Sequence, residues 1–221
     1  MNKIVLIPAY EPDSLLINLV DKLIPLYDVV VVDDGSTSDL IFNQIKDKVK
    51  VLSYSQNKGK GYALKHGLKY IKENYDKDDL VVCADADGQH SLEDIGKLFT
   101  KIKNNTFVIG IRTFSKEDTP LRSRIGNRLT SSIVKFYFKK YLKDTQSGLR
   151  GFKVELIDDL IKIEGNRYEY EMNQLFYLIK NDITIIEEEI KTIYYDNNKK
   201  SHFKTFKDSY IIYKQIKKNK W

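Results

Sequence analysis

Ile4-Val5-Leu6-Ile7 and Val29-Val30-Val31-Val32, separated by the amphipathic stretch Ser14 to Leu26, decide how this chain folds. Each tetrad is short and continuously apolar, the pattern of a strand covered on both faces. With a helix between them they form a βαβ unit. Pro8 and Pro12 mark the loop before the helix, and Asp13 or Ser14 can cap it. The same alternation continues outward. Strands are expected at Val49 to Leu52, Asp79 to Ala84 and Thr106 to Ile111, with helices at Gly61 to Tyr75 and Leu92 to Lys103. Such a sequence predicts an α/β fold with a mostly parallel central sheet flanked by helices, and ligands outside the carboxyl ends of its strands.

Past Ile111 the alternation stops. Residues 112–128 hold Arg112, Arg122, Arg124 and Arg128, four of the six arginines in a lysine-rich chain. Guanidinium forks match phosphate oxygens, so Arg112, Arg122 and Arg124 are candidates to grip a phosphate or diphosphate; a solvated basic loop is the plainer alternative. A helix at Thr130 to Leu142, a turn at Asp144 to Gly151, a helix at Glu169 to Lys180 and a strand at Ile183 to Glu188 follow. The 221 residues suit one domain, and 42% hydrophobic with 31% charged residues describes a globular chain. The lone Cys83 lies inside an apolar run and reads as a buried thiol, with no disulfide framework. No signal segment or membrane-spanning run is apparent, so a cytoplasmic location is expected. The net charge is +6, yet residues 199–221 alone carry eight lysines against Asp208, leaving the rest of the chain at −1. A basic segment on a neutral body predicts an anionic surface as partner.

Three motifs fall at the expected strand ends. In Asp85-Ala86-Asp87-Gly88-Gln89-His90, extended backbone puts Asp85 and Asp87 on one side, where both can address one cation. Oxygen donors suit Mg²⁺ or Mn²⁺, which could neutralise a departing diphosphate. An Asx turn before the next helix would use the same residue types, and the residues alone leave both readings open. Asp33-Asp34-Gly35-Ser36 could accept hydrogen bonds from a ribose or base, or form an ordinary turn. Lys58-Gly59-Lys60-Gly61 opens a helix whose free N–H groups favour an anion, although paired glycines also serve tight turns.

Taken together with Ile7-Pro8-Ala9-Tyr10-Glu11 and Asn57-Lys58-Gly59-Lys60-Gly61, these motifs stand in the order and spacing of family 2 glycosyltransferases. Asp144-Thr145-Gln146-Ser147-Gly148-Leu149-Arg150-Gly151-Phe152 and Tyr168-Glu169-Tyr170-Glu171-Met172 resemble the dolichol-phosphate mannosyltransferase-like branch, which uses polyprenyl-phosphate acceptors. The resemblance implies the glycosyltransferase A fold, an inverting reaction, a nucleotide-sugar donor and a lipid-phosphate acceptor. By similarity Pro8, Ala9, Glu11, Asp33 and Asp34 meet the nucleotide, as does the loop with Lys60. Asp85, Ala86, Asp87 and Gln89 line the diphosphate and metal, with Asp87 the foremost ligand and a catalytic candidate beside Arg112, Arg122 and Arg124. Arg150, Glu169, Glu171, Lys199 and His202 are candidates for the acceptor or a phosphate. The expected division is a catalytic domain over 1–198, with 1–111 the nucleotide-binding half and 112–198 the acceptor-binding half, followed by a basic amphipathic segment, 199–221.

Many family members carry a Glu-Asp pair whose carboxylate deprotonates a hydroxyl acceptor. Here Glu171 is followed by Met172. A phosphate monoester, with its second pKa at about 6, is already ionised and needs no strong base, which favours a polyprenyl phosphate. A family 2 transferase adding sugar to a glycan hydroxyl in capsule or cell-wall polysaccharide assembly is the alternative. Phe203, Phe206, Tyr210 and Tyr213 recur at helical spacing among lysines, as in an interfacial anchor or a helix capping the core. UDP is favoured slightly over GDP by resemblance. A peripheral enzyme at the inner face of the membrane is expected, with room for a small separate membrane protein as partner. A nucleotidyltransferase would need a Gly-rich, Arg-containing loop where Pro8 to Pro12 stands, and the neutral body speaks against a nucleic-acid-binding module.

Overall fold

A computed structural model describes residues 1–112 and 121–191, with the side chains of 121–126, 129 and 138 left aside. Seven strands form one sheet: β1 (Lys3–Ala9), β2 (Asp28–Asp33), β3 (Lys50–Ser53), β4 (Leu80–Cys83), β5 (Thr106–Arg112), β6 (Arg150–Lys153) and β7 (Thr184–Ile190), in the order β3-β2-β1-β4-β6-β5-β7. All neighbours run parallel except β6, which is antiparallel to β4 and β5. The architecture is therefore the mostly parallel α/β sheet expected. Among the described residues no helix is long and apolar enough to cross a membrane.

Among the described residues the α-helices are α1 (Ser14–Leu23), α2 (Leu40–Ile45), α3 (Lys60–Asn74), α4 (Leu92–Lys101), α5 (Leu121–Phe138), α6 (Ile157–Leu160) and α7 (Glu169–Lys180). Strand residues alternate between two cores, which is why the central strands are apolar throughout. Val5, Ile7, Val29, Val31, Leu80 and Val82 face α1, α2 and α4. Ile4, Leu6, Val30, Val32, Val81 and Cys83 face α3, α6 and α7. Asp13 caps α1 by accepting from Leu15 N at 2.9 Å, and Ser91 caps α4 by accepting from Asp94 N at 3.0 Å.

Two elements depart from the expected pattern. α5 begins at Leu121 and not Thr130, because its inward face at Asn127, Thr130, Ser131 and Val134 is buried but largely polar, so apolar periodicity does not mark it. β6 occupies the end of what reads as a turn; four residues containing Arg150 and Gly151 carry little strand signal. The six-residue α2 is likewise too short to show a period.

Topology places the site. From β1 the chain moves outward to β2 and β3 along the α1 and α2 face. It then crosses by α3 on the other face to β4, on the far side of β1. This reversal falls between the carboxyl ends of β1 and β4, the position where open α/β sheets bind ligands. The β1–β4 ladder ends at Leu6 and Cys83, so Pro8 to Glu11 and Asp85 to His90 lie beyond its end.

Candidate active site

One wall is made by the loops after β1 and β2. Glu11 adopts φ +48, an uncommon conformation for a non-glycine residue, and is held there from both ends. Its N–H donates to Ser36 Oγ at 2.9 Å, and its Oε1 accepts from Thr37 N at 2.7 Å and Thr37 Oγ1 at 2.8 Å. The exposed Glu11 carboxyl is lowered by these Thr37 bonds, the backbone one first. Asp33 is half-buried, and its Oδ1 accepts from Ser36 N at 2.9 Å. Asp34 differs completely: it is 3% exposed and its carboxylate is taken up inside the chain. Tyr54 Oη (2.7 Å), Asn57 Nδ2 (3.0 Å), Lys58 N (2.8 Å) and Gly59 N (2.9 Å) all donate to it. Asp34 thus builds the Asn57-Lys58-Gly59 loop, while Asp33 stays half-buried at the carboxyl end of β2. Burial and the Asp34 carboxylate hold the Tyr54 phenol above its ordinary pKa. Gly59, at φ +100, brings that loop so close to Asn166 that a Cβ would lie 2.5 Å from the Asn166 carbonyl oxygen.

Asp85 is the centre of the second wall. The Lys60 ammonium, at the first residue of α3, lies 2.7 Å from Asp85 Oδ1 and 3.0 Å from Glu171 Oε1 on α7. Burial by itself would raise the Asp85 carboxyl, but Lys60 and then His90 outweigh it and hold it well below the carboxylate range. For Lys60, burial opposes the charge, yet Asp85 and Glu171 win and hold its pKa above the ordinary value. His90 Nε2 approaches Asp85 Oδ2 at 3.6 Å, and both buried ring nitrogens lack a hydrogen-bond partner. Gly148 packs on the same carboxylate, with which a Cβ would collide. Behind Glu171 stands Arg150, 2% exposed, donating to Ser147 O (3.0 Å), Glu171 O (2.6 Å) and Gln174 Oε1 (2.7 Å). Arg150, read from sequence as a phosphate candidate, is committed to joining the 144–149 loop to α7. Cys83, at the end of β4, is pushed up to about 12 by burial and by the Glu171 charge.

Asp87 is exposed at the mouth, and its Oδ1 accepts from Gln89 N at 3.0 Å. The Asx turn considered from sequence is therefore present, although Ser91 caps the helix. Its carboxyl is raised, by partial desolvation first and by the Asp85 charge second. Among the described residues no three His, Cys, Asp or Glu side chains gather as a metal cage. Asp87 and Gln89 nonetheless offer oxygen donors to a cation that takes most of its ligands from a diphosphate and water, a donor set suited to Mg²⁺ or Mn²⁺.

The remaining candidates separate. Arg112 pairs with the fully buried Asp144 through Nε (2.7 Å) and Nη2 (3.0 Å), so its fork is engaged within the chain. Asn127 fixes the same loop, donating to Lys143 O at 2.6 Å and accepting from Thr145 N at 2.9 Å. Glu169 accepts from Asn166 N and Arg167 N at the start of α7. Met172 lies 4% exposed in the apolar core. Pro8 and Ala9 are buried in β1, where Ala9 O accepts from Asp34 N at 2.8 Å, and Ala86 is half-buried. Arg122 and Arg124 fall on α5, their side chains outside the described residues; Lys199, His202 and the whole basic segment lie outside the described residues altogether. Sequence reasoning did not find Asn127, nor the Lys60 link between Asp85 and Glu171; only the charge of these residues hinted at it.

A family model described as glycosyl transferase family 2 matches residues 4–161. The chain is 34% identical to the UDP-N-acetylglucosamine–dolichyl-phosphate N-acetylglucosaminyltransferase of Methanococcus voltae, over 86% of this chain and 84% of that protein. It is 30% identical to the dolichyl-phosphate beta-glucosyltransferase of Saccharomyces cerevisiae, over 67% of this chain and 53% of that one. Among solved structures, glucosyl-3-phosphoglycerate synthase from Mycobacterium tuberculosis, in complex with Mn²⁺, UDP and phosphoglyceric acid, superposes with a TM-score of 0.70 at 16% identity. That likeness covers 97% of this chain and 75% of the other, and it shows the glycosyltransferase A fold. Matched over most of its length by the family model and by polyprenyl-phosphate sugar transferases, the chain belongs to glycosyl transferase family 2.

Proposed function

We propose that this protein moves a sugar from a nucleoside-diphosphate sugar, UDP-linked, to the phosphate of a polyprenyl carrier, with inversion and with Mn²⁺ or Mg²⁺ at Asp87 and Gln89. The observation that supports the donor half is the reversal of strand order between β1 and β4, with the loops that carry Glu11, Asp33, Asp85 and Asp87 following the carboxyl ends of β1, β2 and β4. The names of the relatives support the acceptor and the UDP donor.

In the proposed transfer, Asp33 and the backbone of the β1 loop bind the nucleoside. The cation, when bound, neutralises charge on the departing diphosphate. Lys60, Glu171 and Gly148 fix Asp85 beside it. The acceptor phosphate oxygen attacks the anomeric carbon in line as the bond to the diphosphate breaks. That oxygen is already ionised near neutral pH, so no side chain has to remove a proton. Met172 in the core and Glu169 at the start of α7 are consistent with a site that has no dedicated base. Lys199, His202 and the basic segment are assigned to the anionic membrane surface that holds the carrier, with the enzyme peripheral at the inner face.

The test supplies one UDP-sugar with polyprenyl phosphate or with the matching polyprenol. Transfer to the phosphate alone is expected, with Glu169→Gln and Glu171→Gln retaining substantial turnover at saturating metal. Turnover on the alcohol, lost in either variant while the donor still binds, would replace the lipid phosphate by a hydroxyl acceptor.

A further inference from the structure

The Asp85 carboxylate, though its side chain is 30% exposed, has its charge balanced from inside the protein. Oδ1 holds the Lys60 ammonium at 2.7 Å, and Oδ2 faces His90 at 3.6 Å and the backbone of Gly148. Lys60 is in turn tied to Glu171 at 3.0 Å, and Glu171 is only 8% exposed, with Arg150 Nε 4.0 Å away. A divalent cation approaching the loop therefore meets one open carboxylate, Asp87, and a second whose charge is already balanced by a fixed cation. One carboxylate is a weak site for Mg²⁺ or Mn²⁺, which need several oxygen ligands. A diphosphate supplies the missing oxygens and charge.

We propose that Lys60 is the resident counter-ion of Asp85, a positioning residue that makes cation capture at this loop depend on a bound nucleoside diphosphate. Lys60 withholds Asp85 from the cation, so metal and nucleotide bind together and the empty enzyme does not fill with metal alone. Glu171 has a defined part in this arrangement. It shares the ammonium and anchors it to α7, joining the strand end that carries the metal loop to the helix on the other side of the site. The inference rests on the donor site proposed above and adds an order of assembly to it.

The experiment titrates the full chain with Mn²⁺ by electron paramagnetic resonance, with and without UDP. Wild type is expected to bind Mn²⁺ at least about tenfold more tightly when UDP is present, since the nucleotide contributes charge and ligands. Lys60→Met should tighten Mn²⁺ binding without UDP by about tenfold, because a like charge beside the site is removed, while Lys60→Arg should not. Asp85→Asn, nearly isosteric, leaves the Lys60 charge unbalanced and should weaken Mn²⁺ binding without UDP by no more than the roughly tenfold that Lys60→Met gains, and adding it to Lys60→Met should return the affinity to within about twofold of wild type. If the melting curve shows that Lys60→Met folds poorly, Lys60→Gln, which removes the charge but keeps a polar group beside Asp85 and Glu171, replaces it in both comparisons. A Lys60→Met protein that folds yet binds Mn²⁺ alone no more tightly than wild type would overturn the proposal, as would a gain that survives when Asp85→Asn is added to Lys60→Met. If wild type shows no UDP-dependent Mn²⁺ site, the donor-site reading falls and this inference falls with it.

Discussion

Adjacent carboxylates, Asp33 and Asp34, should respond oppositely to removal. Asp34→Ala takes away a carboxylate that accepts from Tyr54, Asn57 and the N–H groups of Lys58 and Gly59, all within 3.0 Å. Hydrogen bonds to a charged group contribute about 1.5–3 kcal/mol each, and orphaned buried donors carry a comparable penalty. Water can replace the acceptor for the partly exposed Tyr54 and Asn57. Counting only the two backbone donors gives a loss of roughly 3–6 kcal/mol, at the upper end for single substitutions. For a chain of this size that lowers Tm by roughly 6–24 °C. Asp33→Ala removes one acceptor from a half-buried turn and should cost about 1 kcal/mol or less, while weakening UDP binding strongly. Urea unfolding followed by circular dichroism, with the midpoint compared at constant slope, measures both. A loss below about 1 kcal/mol in Asp34→Ala, or a larger loss in Asp33→Ala, would refute the assignment of Asp34 to the loop and Asp33 to the ligand.

Asp144→Asn should destabilise by about 3–5 kcal/mol in the same assay, because it breaks a buried two-pronged pair with Arg112. The pH dependence has a definite sign at Asp79, 2% exposed, where burial raises the carboxyl but bonds from Asn2 and Asp76 overcome it and lower the pKa. A lowered folded pKa gives stability that is present above the unfolded value of about 3.9 and lost as pH falls through the folded one. Acid unfolding of Asp79→Asn should accordingly be shallower below about pH 4 than that of wild type. Cys83, buried and pushed up to about 12, should resist a disulfide reagent at pH 8 in the native protein and react promptly in urea.

The parts of this molecule that follow one local rule could be read from the chain. Ile4 to Ile7 and Val29 to Val32 are apolar on both faces because each strand separates two cores, so the central sheet was evident. Motif positions at strand ends followed from the same alternation. What could not be read depends on partners distant in sequence. Asp33 and Asp34 look alike until Tyr54 and Asn57 fold onto one of them. Lys60 and Glu171 are separated by 111 positions, so no spacing rule relates them. Arg112 and Arg150, taken for phosphate ligands from their side-chain chemistry, turn out to be paired with Asp144 and with the carbonyls of the 144–149 loop and α7. The buried face of α5, built on Asn127, Thr130 and Ser131, escapes any reading that equates burial with apolar residues.

The central claim is a donor site that binds a nucleoside diphosphate together with a divalent cation. It is tested most directly by melting the protein with UDP, GDP, UDP-glucose or GDP-mannose, each with and without Mn²⁺, beside Asp87→Ala. A ligand at 100 times its dissociation constant stabilises by about 2.7 kcal/mol, an easily measured shift. The account predicts stabilisation by the uridine series only with Mn²⁺ present, and its loss in Asp87→Ala. Melting curves unmoved by every nucleotide, or an equal shift in Asp87→Ala, would contradict it.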